Sequence, residues 1–90
     1  MKSEPTKAFL RDVKNIINPT VRADVEAVIL SVRQAESIKD IPKLNLKKMQ
    51  GKKIHYRIRI RKYRIGIIID NNFIVFDRCL PRKDFYKYFP

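Results

Sequence analysis

The chain has 90 residues, 44% of them hydrophobic, with five Phe, four Tyr and a formal net charge of +12. That length gives one small domain, residues 1–90, with a thin core, and that composition excludes a disordered tail. A single Cys (Cys79) and a single His (His55) exclude a disulfide framework and a multi-Cys or His-rich metal centre, and no apolar run reaches the ~18 residues of a membrane span.

The first predicted element is an amphipathic helix over residues 6–17, with Phe9, Val13, Ile16 and Ile17 as its apolar stripe and Lys7, Arg11, Asp12 and Lys14 mostly off it. Thr6 is the expected N-cap, and Pro19 marks the end. A second helix follows from Asn18-Pro19 to about Ala35, with Asn18 as N-cap and Pro19 at the first helical position. Its stripe is Val21, Val25, Val28, Ile29 and Val32, and the short link makes the two helices antiparallel neighbours. Residues 36–51 read as irregular, interrupted by Pro42 and Gly51, with Leu44, Leu46 and Met49 tucked under the rest.

From Ile54 the period becomes two. Ile54, Tyr56, Ile58 and Ile60 alternate with His55, Arg57, Arg59 and Arg61, so one strand face is apolar and the other cationic. A tight turn at Arg61-Lys62 leads to a second strand, Tyr63–Ile69, with Arg64 and Gly66 on one face. Asp70-Asn71-Asn72 makes a hairpin turn, and Phe73–Leu80 is a third strand ended by Pro81. The basic, aromatic segment Arg82–Pro90 follows. The fold class is α+β: an N-terminal helical hairpin packed on a small twisted antiparallel sheet.

The charge is concentrated. Residues 1–40 carry seven Lys/Arg against six Asp/Glu, and residues 70–90 carry four against three, whereas residues 41–69 carry ten Lys/Arg and no acid. One strongly positive region suits a polyanion, nucleic acid above all, although charge spent on solubility or on blunting a sheet edge is the plain alternative. Familiar catalytic signatures are missing. Two glycines make no phosphate-cradling loop, no Ser sits in G-x-S-x-G, and no carboxylate pair stands at useful spacing. Cys79 reads as a buried structural thiol, and His55 as a strand residue with a lesser claim as an acid/base. What remains is the cationic face: His55, Arg57 and Arg59 on one strand, Arg64 on the next, then Arg82 and Tyr86 one helical turn apart. Guanidinium groups grip phosphate bidentately, and a Tyr ring is a platform for a base, so the set fits single-stranded RNA.

The same residues carry a family resemblance. Lys7-Ala8-Phe9-Leu10-Arg11-Asp12-Val13-Lys14 looks like the first helix of the RelE/ParE superfamily of toxins of type II toxin–antitoxin systems. Tyr56-Arg57-Ile58-Arg59 followed by Tyr63-Arg64-Ile65 resembles the pattern YRIRxGDYRI, and Arg82–Pro90 resembles HRKDIYKYFP with Pro81 in place of its His. The resemblance spans nearly the whole chain. It implies a helical hairpin on a twisted antiparallel sheet, with a short strand ahead of the first helix that residues 1–4 would have to supply. For the RelE branch it implies cleavage of mRNA on the ribosome without metal or cofactor, by attack of the 2′-hydroxyl on the adjacent phosphate. Carried over by position, Arg64 stabilises the phosphate, Arg82 assists the phosphate or leaving group, and Tyr86 orients or deprotonates the 2′-hydroxyl. His55, Arg57, Arg59 and Lys83 would bind RNA and its phosphates. The implied partners are an antitoxin protein, the ribosome and mRNA, with no membrane and no small-molecule cofactor, and the implied location is the cytoplasm. Pro81 leaves the acid/base position without a titratable group. A ParE-like gyrase inhibitor or a non-catalytic, antitoxin-binding homologue is therefore the alternative.

Overall fold

A computed structural model describes residues 1–41 and 46–90. Their elements in chain order are β1 (Lys2–Pro5), α1 (Lys7–Lys14), α2 (Pro19–Gln34), β2 (Leu46–Lys48), β3 (His55–Ile60), β4 (Tyr63–Asp70), β5 (Phe73–Pro81) and α3 (Arg82–Tyr88), with a short 3-10 turn at Ile38–Asp40. The expectations for Pro42 and Leu44 lie outside the described residues.

Both N-terminal helices begin where the capping residues stand. Thr6 Oγ1 accepts the Phe9 amide at 3.0 Å, and Asn18 Oδ1 accepts those of Thr20 and Val21 at 2.9 and 3.2 Å. The first helix is shorter than the predicted 6–17. It closes at Lys14, where the Asn15 amide bonds back to Arg11 and Asp12 and the Arg22 guanidinium reaches across to the carbonyls of Val13 and Lys14. Those carbonyls would otherwise lack intrahelical partners. With the helix ended, Ile16 and Ile17 no longer share a face: Ile16 is buried, while Ile17 is 93% exposed, contrary to its place in the predicted stripe. Along α2, Val25 and Val32 are fully buried, with Val21, Val28 and Ile29 packed around them.

The sheet has five strands in the order β1-β5-β4-β3-β2, not the three that alternation revealed, and it is mixed rather than wholly antiparallel. β1 pairs parallel with β5, Lys2 opposite Phe73 and Pro5 opposite Phe76. β2 pairs with β3 within the segment read as irregular. Three or four residues are too few to show a period of two, so neither edge strand carries a sequence signal. Where β1 ends, α1 continues its work at the β5 edge. Thr6 N donates to the Phe76 carbonyl, Thr6 Oγ1 donates to the Asp77 carbonyl, and the Asp12 carboxylate accepts the Cys79 amide at 3.0 Å.

Ile58, Ile60, Ile65, Ile67, Ile74, Phe76 and Cys79 form the sheet's side of the main core beneath the hairpin, together with Phe9, Val25 and Val32. α3 packs on β4 and β5. Its Phe85 and the Phe89 that caps its C-terminus, four residues apart, are buried, while Arg82 and Tyr86 at the same spacing face out. Phe89 lies on Gly66: a Cβ there would meet the Phe89 ring at 2.6 Å, so the strand needs a residue with no side chain. β4 is thus sandwiched, and Arg64, Ile65, Gly66 and Ile67 are buried in succession. No helix among the described residues is long and apolar enough to cross a membrane.

Candidate nucleic-acid interface

The register puts Arg57 opposite Gly66 and Arg59 opposite Arg64, which assembles the cationic face from two strands, with Leu80 of β5 opposite Arg64 on its other side. Arg64 is at its centre and only 6% exposed. Its Nη1 donates to the carbonyls of Tyr63 at 2.9 Å and Arg61 at 3.1 Å, so it also holds the β3–β4 turn. Its Nε is buried without a partner among the described residues. Burial pushes the Arg64 pKa below that of an ordinary guanidinium. Hydrogen bonding and charge from the Tyr86 phenol oppose that shift, and Arg57 and Arg59 add to it. A half-dehydrated cation flanked by two others favours an anion brought against it.

Beside Arg64 lies a cavity of about 440 Å³ lined by Arg61, Lys62, Arg64, Pro81, Arg82 and Lys83. Five cationic residues and one proline converge there, and no acid is among the residues that line it. The Arg82 amide donates to the Lys62 carbonyl at 2.7 Å, which fixes the start of α3 against the β3–β4 turn. Tyr86 is 51% exposed and stands against Arg64 from α3. Cationic groups able to bind a phosphate and a phenol are therefore gathered at one corner of the sheet.

Of the predicted site residues, Arg57, Arg59, Arg64 and Tyr86 are neighbours, and Arg82 and Lys83 share the cavity with Arg64. His55 stands apart. It pairs with Ile68, about 13 Å along β3 from Arg59 at ~3.3 Å per residue, and its ring packs on Phe89 with centroids 5.5 Å apart. That places it under the end of the tail and away from the cavity. Among the described residues no group of three or more His, Cys, Asp or Glu comes together in a way that could hold a metal.

Sequence reasoning missed two features that shape this corner. Asp12, placed off the apolar stripe, is 6% exposed and takes a bidentate grip from Arg78 at 2.7 and 3.1 Å. The guanidinium carbon of Arg78 in turn lies 5.0 Å from the ring centroid of Tyr88 in α3. The signal was present, because positions 9, 12, 13 and 16 follow the i, i+3, i+4, i+7 spacing of a helix face. Arg61 and Lys62, read only as a turn, line the cavity.

Among curated proteins, the chain is 38% identical over 90 residues to Toxin RelE3 of Methanocaldococcus jannaschii, covering 100% of both. Among solved structures it matches a chain of the RelB–RelE antitoxin–toxin complex from Methanococcus jannaschii. That match has a TM-score of 0.79 and 35% identity over 96% of this chain and 98% of that one. It shares its fold with a chain of the intact E. coli RelBE toxin–antitoxin complex, at TM-score 0.67 and 15% identity over 89% of this chain and 94% of that one. No protein-family model matches the chain.

Proposed function

The chain belongs to the RelE family of toxins, and from that premise we propose that it arrests translation by cutting mRNA on the ribosome, without a metal. It is the toxin member of a RelBE-type toxin–antitoxin system. The cleavage reading rests on one observation above the others: Arg64, Arg82 and Lys83 line one cavity, and the half-exposed Tyr86 stands against Arg64. In the proposed step the 2′-hydroxyl loses its proton to water and its oxygen bonds to the adjacent phosphorus, while the bond to the 5′-oxygen breaks and that oxygen takes up a proton from water. The products are a 2′,3′-cyclic phosphate and a free 5′-hydroxyl. Charge gathers on the non-bridging oxygens as this happens, and preplaced guanidinium donors in a partly dry corner oppose it without reorganising. Arg64 and Arg82 take that role. Tyr86 positions the 2′-hydroxyl, and its ring offers the base a surface on which to stack. Pro81, the N-terminal cap of α3, contributes no proton.

The antitoxin fits the same electrostatics. A partner of the RelB kind, as in the solved complexes, would bring acidic residues to the cationic face and gain association rate from steering. The complex would form in the cytoplasm, where ribosomes are. Primer extension on ribosome-bound mRNA tests the reading. Cleavage ends inside codons are expected with the parent chain, a gain on Pro81→His, and a loss of at least ~10²-fold on Arg82→Ala or Tyr86→Phe. Intact mRNA together with induction of the DNA-damage response on expression would favour the gyrase reading instead.

A further inference from the structure

The β3–β4 turn is built in a way that its own stability does not explain. Arg61 has φ of 52°, a left-handed position that glycine fills at no steric cost and a bulky side chain does not. Among the described residues the other non-glycine positions at positive φ are Asn71 and Asn72, in the next hairpin, and asparagine tolerates that region. The Arg61 side chain secures little in return. Its Nε lies 2.7 Å from Asp24 of α2, but both side chains are about half exposed (57% and 44%), which makes a weak, salt-screened pair. Lys62 makes no ion pair among the described residues. Both nevertheless line the cavity with Arg64, Arg82 and Lys83, where they add two like charges to three. The turn is held rigidly there: Arg64 bonds the Arg61 carbonyl from one side, and the Arg82 amide bonds the Lys62 carbonyl from the other. Backbone strain and like-charge crowding persist where the strained group has a function.

We infer that the Arg61–Lys62 turn is a second phosphate-binding element, which holds the backbone phosphate of a nucleotide neighbouring the one placed at Tyr86. The ligand class is single-stranded RNA, and the inference rests on the nucleic-acid reading above. Asp24 is a built-in competitor. It occupies Arg61 in the unbound protein, and an incoming phosphate replaces it, so Asp24 sets how tightly RNA is held.

The test measures binding of the full-length protein to a labelled, unstructured oligoribonucleotide across a salt series. The double variant Arg61→Gly/Lys62→Ala is expected to weaken binding about 10-fold at low salt. It should also flatten the slope of log K against log salt by about 1.4, at ~0.7 per single-strand phosphate contact. Its melting temperature should stay level or rise, because glycine suits the left-handed position. Lys2→Ala/Lys7→Ala removes the same charge from exposed positions elsewhere and should change the slope far less. Asp24→Asn should tighten binding several-fold. Arg82→Ala separates the role of the turn from RNA binding as such. Loss of binding with Arg82→Ala but parental slope and affinity with the turn variant overturns the turn's role alone. No binding by the parent chain, or none of the loss expected for Arg82→Ala, overturns the nucleic-acid reading and the turn's role with it.

Discussion

The two faces of the sheet are written by the same alternating strands and end up doing opposite things. Beneath the hairpin, Ile65, Ile67 and Ile74 are fully buried, and each contributes roughly 1.5–3 kcal/mol of hydrophobic stabilisation. On the other face, α3 seals only the middle with Phe85 and Phe89, leaving Arg57, Arg59 and the cavity by Arg82 at its margin. The first face gains from being closed. The second keeps one buried cation, Arg64, beside exposed ones, and that burial costs stability until an anion arrives. A domain this small cannot separate the two tasks into layers of its own, so it divides them across one sheet.

The largest expected effect joins the faces instead of belonging to one. The Asp12 carboxylate at the β5 edge receives Arg78 and the Cys79 amide, and Arg78 packs on Tyr88. Asp12→Ala leaves a mostly buried guanidinium and a buried amide without their partner, at a cost of about 3–5 kcal/mol. Thermal unfolding checks it, and hydrogen exchange should show α1 and α3 losing protection together. If only α1 loosens, the faces are independent. Gly66→Ala sharpens the contrast from the α3 side. Its Cβ would displace the Phe89 ring, costing about 1–3 kcal/mol by overpacking, and RNA cleavage should fall while the hairpin core keeps its near-ultraviolet signature. The smallest effect probes the closed face alone. Cys79 is 1% exposed, and burial, with Asp12 adding to it, pushes its thiol up to about 12. The unfolded chain releases that proton at lower pH, near 9, so the contribution of Cys79 to stability is complete below pH 9 and is lost as pH rises toward 12. At pH 10 the loss is about 1 kcal/mol, and Cys79→Ala should flatten the decline in chemical denaturation by that amount.

Most of the long elements were legible because each had room to show a period. Eight residues of β4 and sixteen of α2 display their faces in sequence, and Asn18-Pro19 names the start of α2 outright. β1 and β2 were not legible, since four and three residues hold no period and their pairing depends on distant strands. At the site, the four-residue spacing of Arg82 and Tyr86 predicted a helical turn, and α3 supplies it. The burial of Arg64 was hidden, because only the packing of α3 over β4 dehydrates it. His55 shared a face with Arg57 and Arg59 as alternation required, yet strand length carried it out of reach. A period gives the side of a strand; it does not give the distance along it.

The parallel pairing of β1 with β5 has a consequence for the order of assembly. Lys2 finds its partner only at Phe73, so β1 waits unpaired until β5 has been made. Pairing between such distant segments is slow, because loop-closure entropy is lost before the contact rewards it. α3, which carries Arg82 and Tyr86, follows β5 directly and is made only after it. A partly made chain therefore holds a basic hairpin and an unfinished sheet but no complete cavity. The cationic cavity of this toxin is completed only after β1 and β5 have paired and α3 has been added to them.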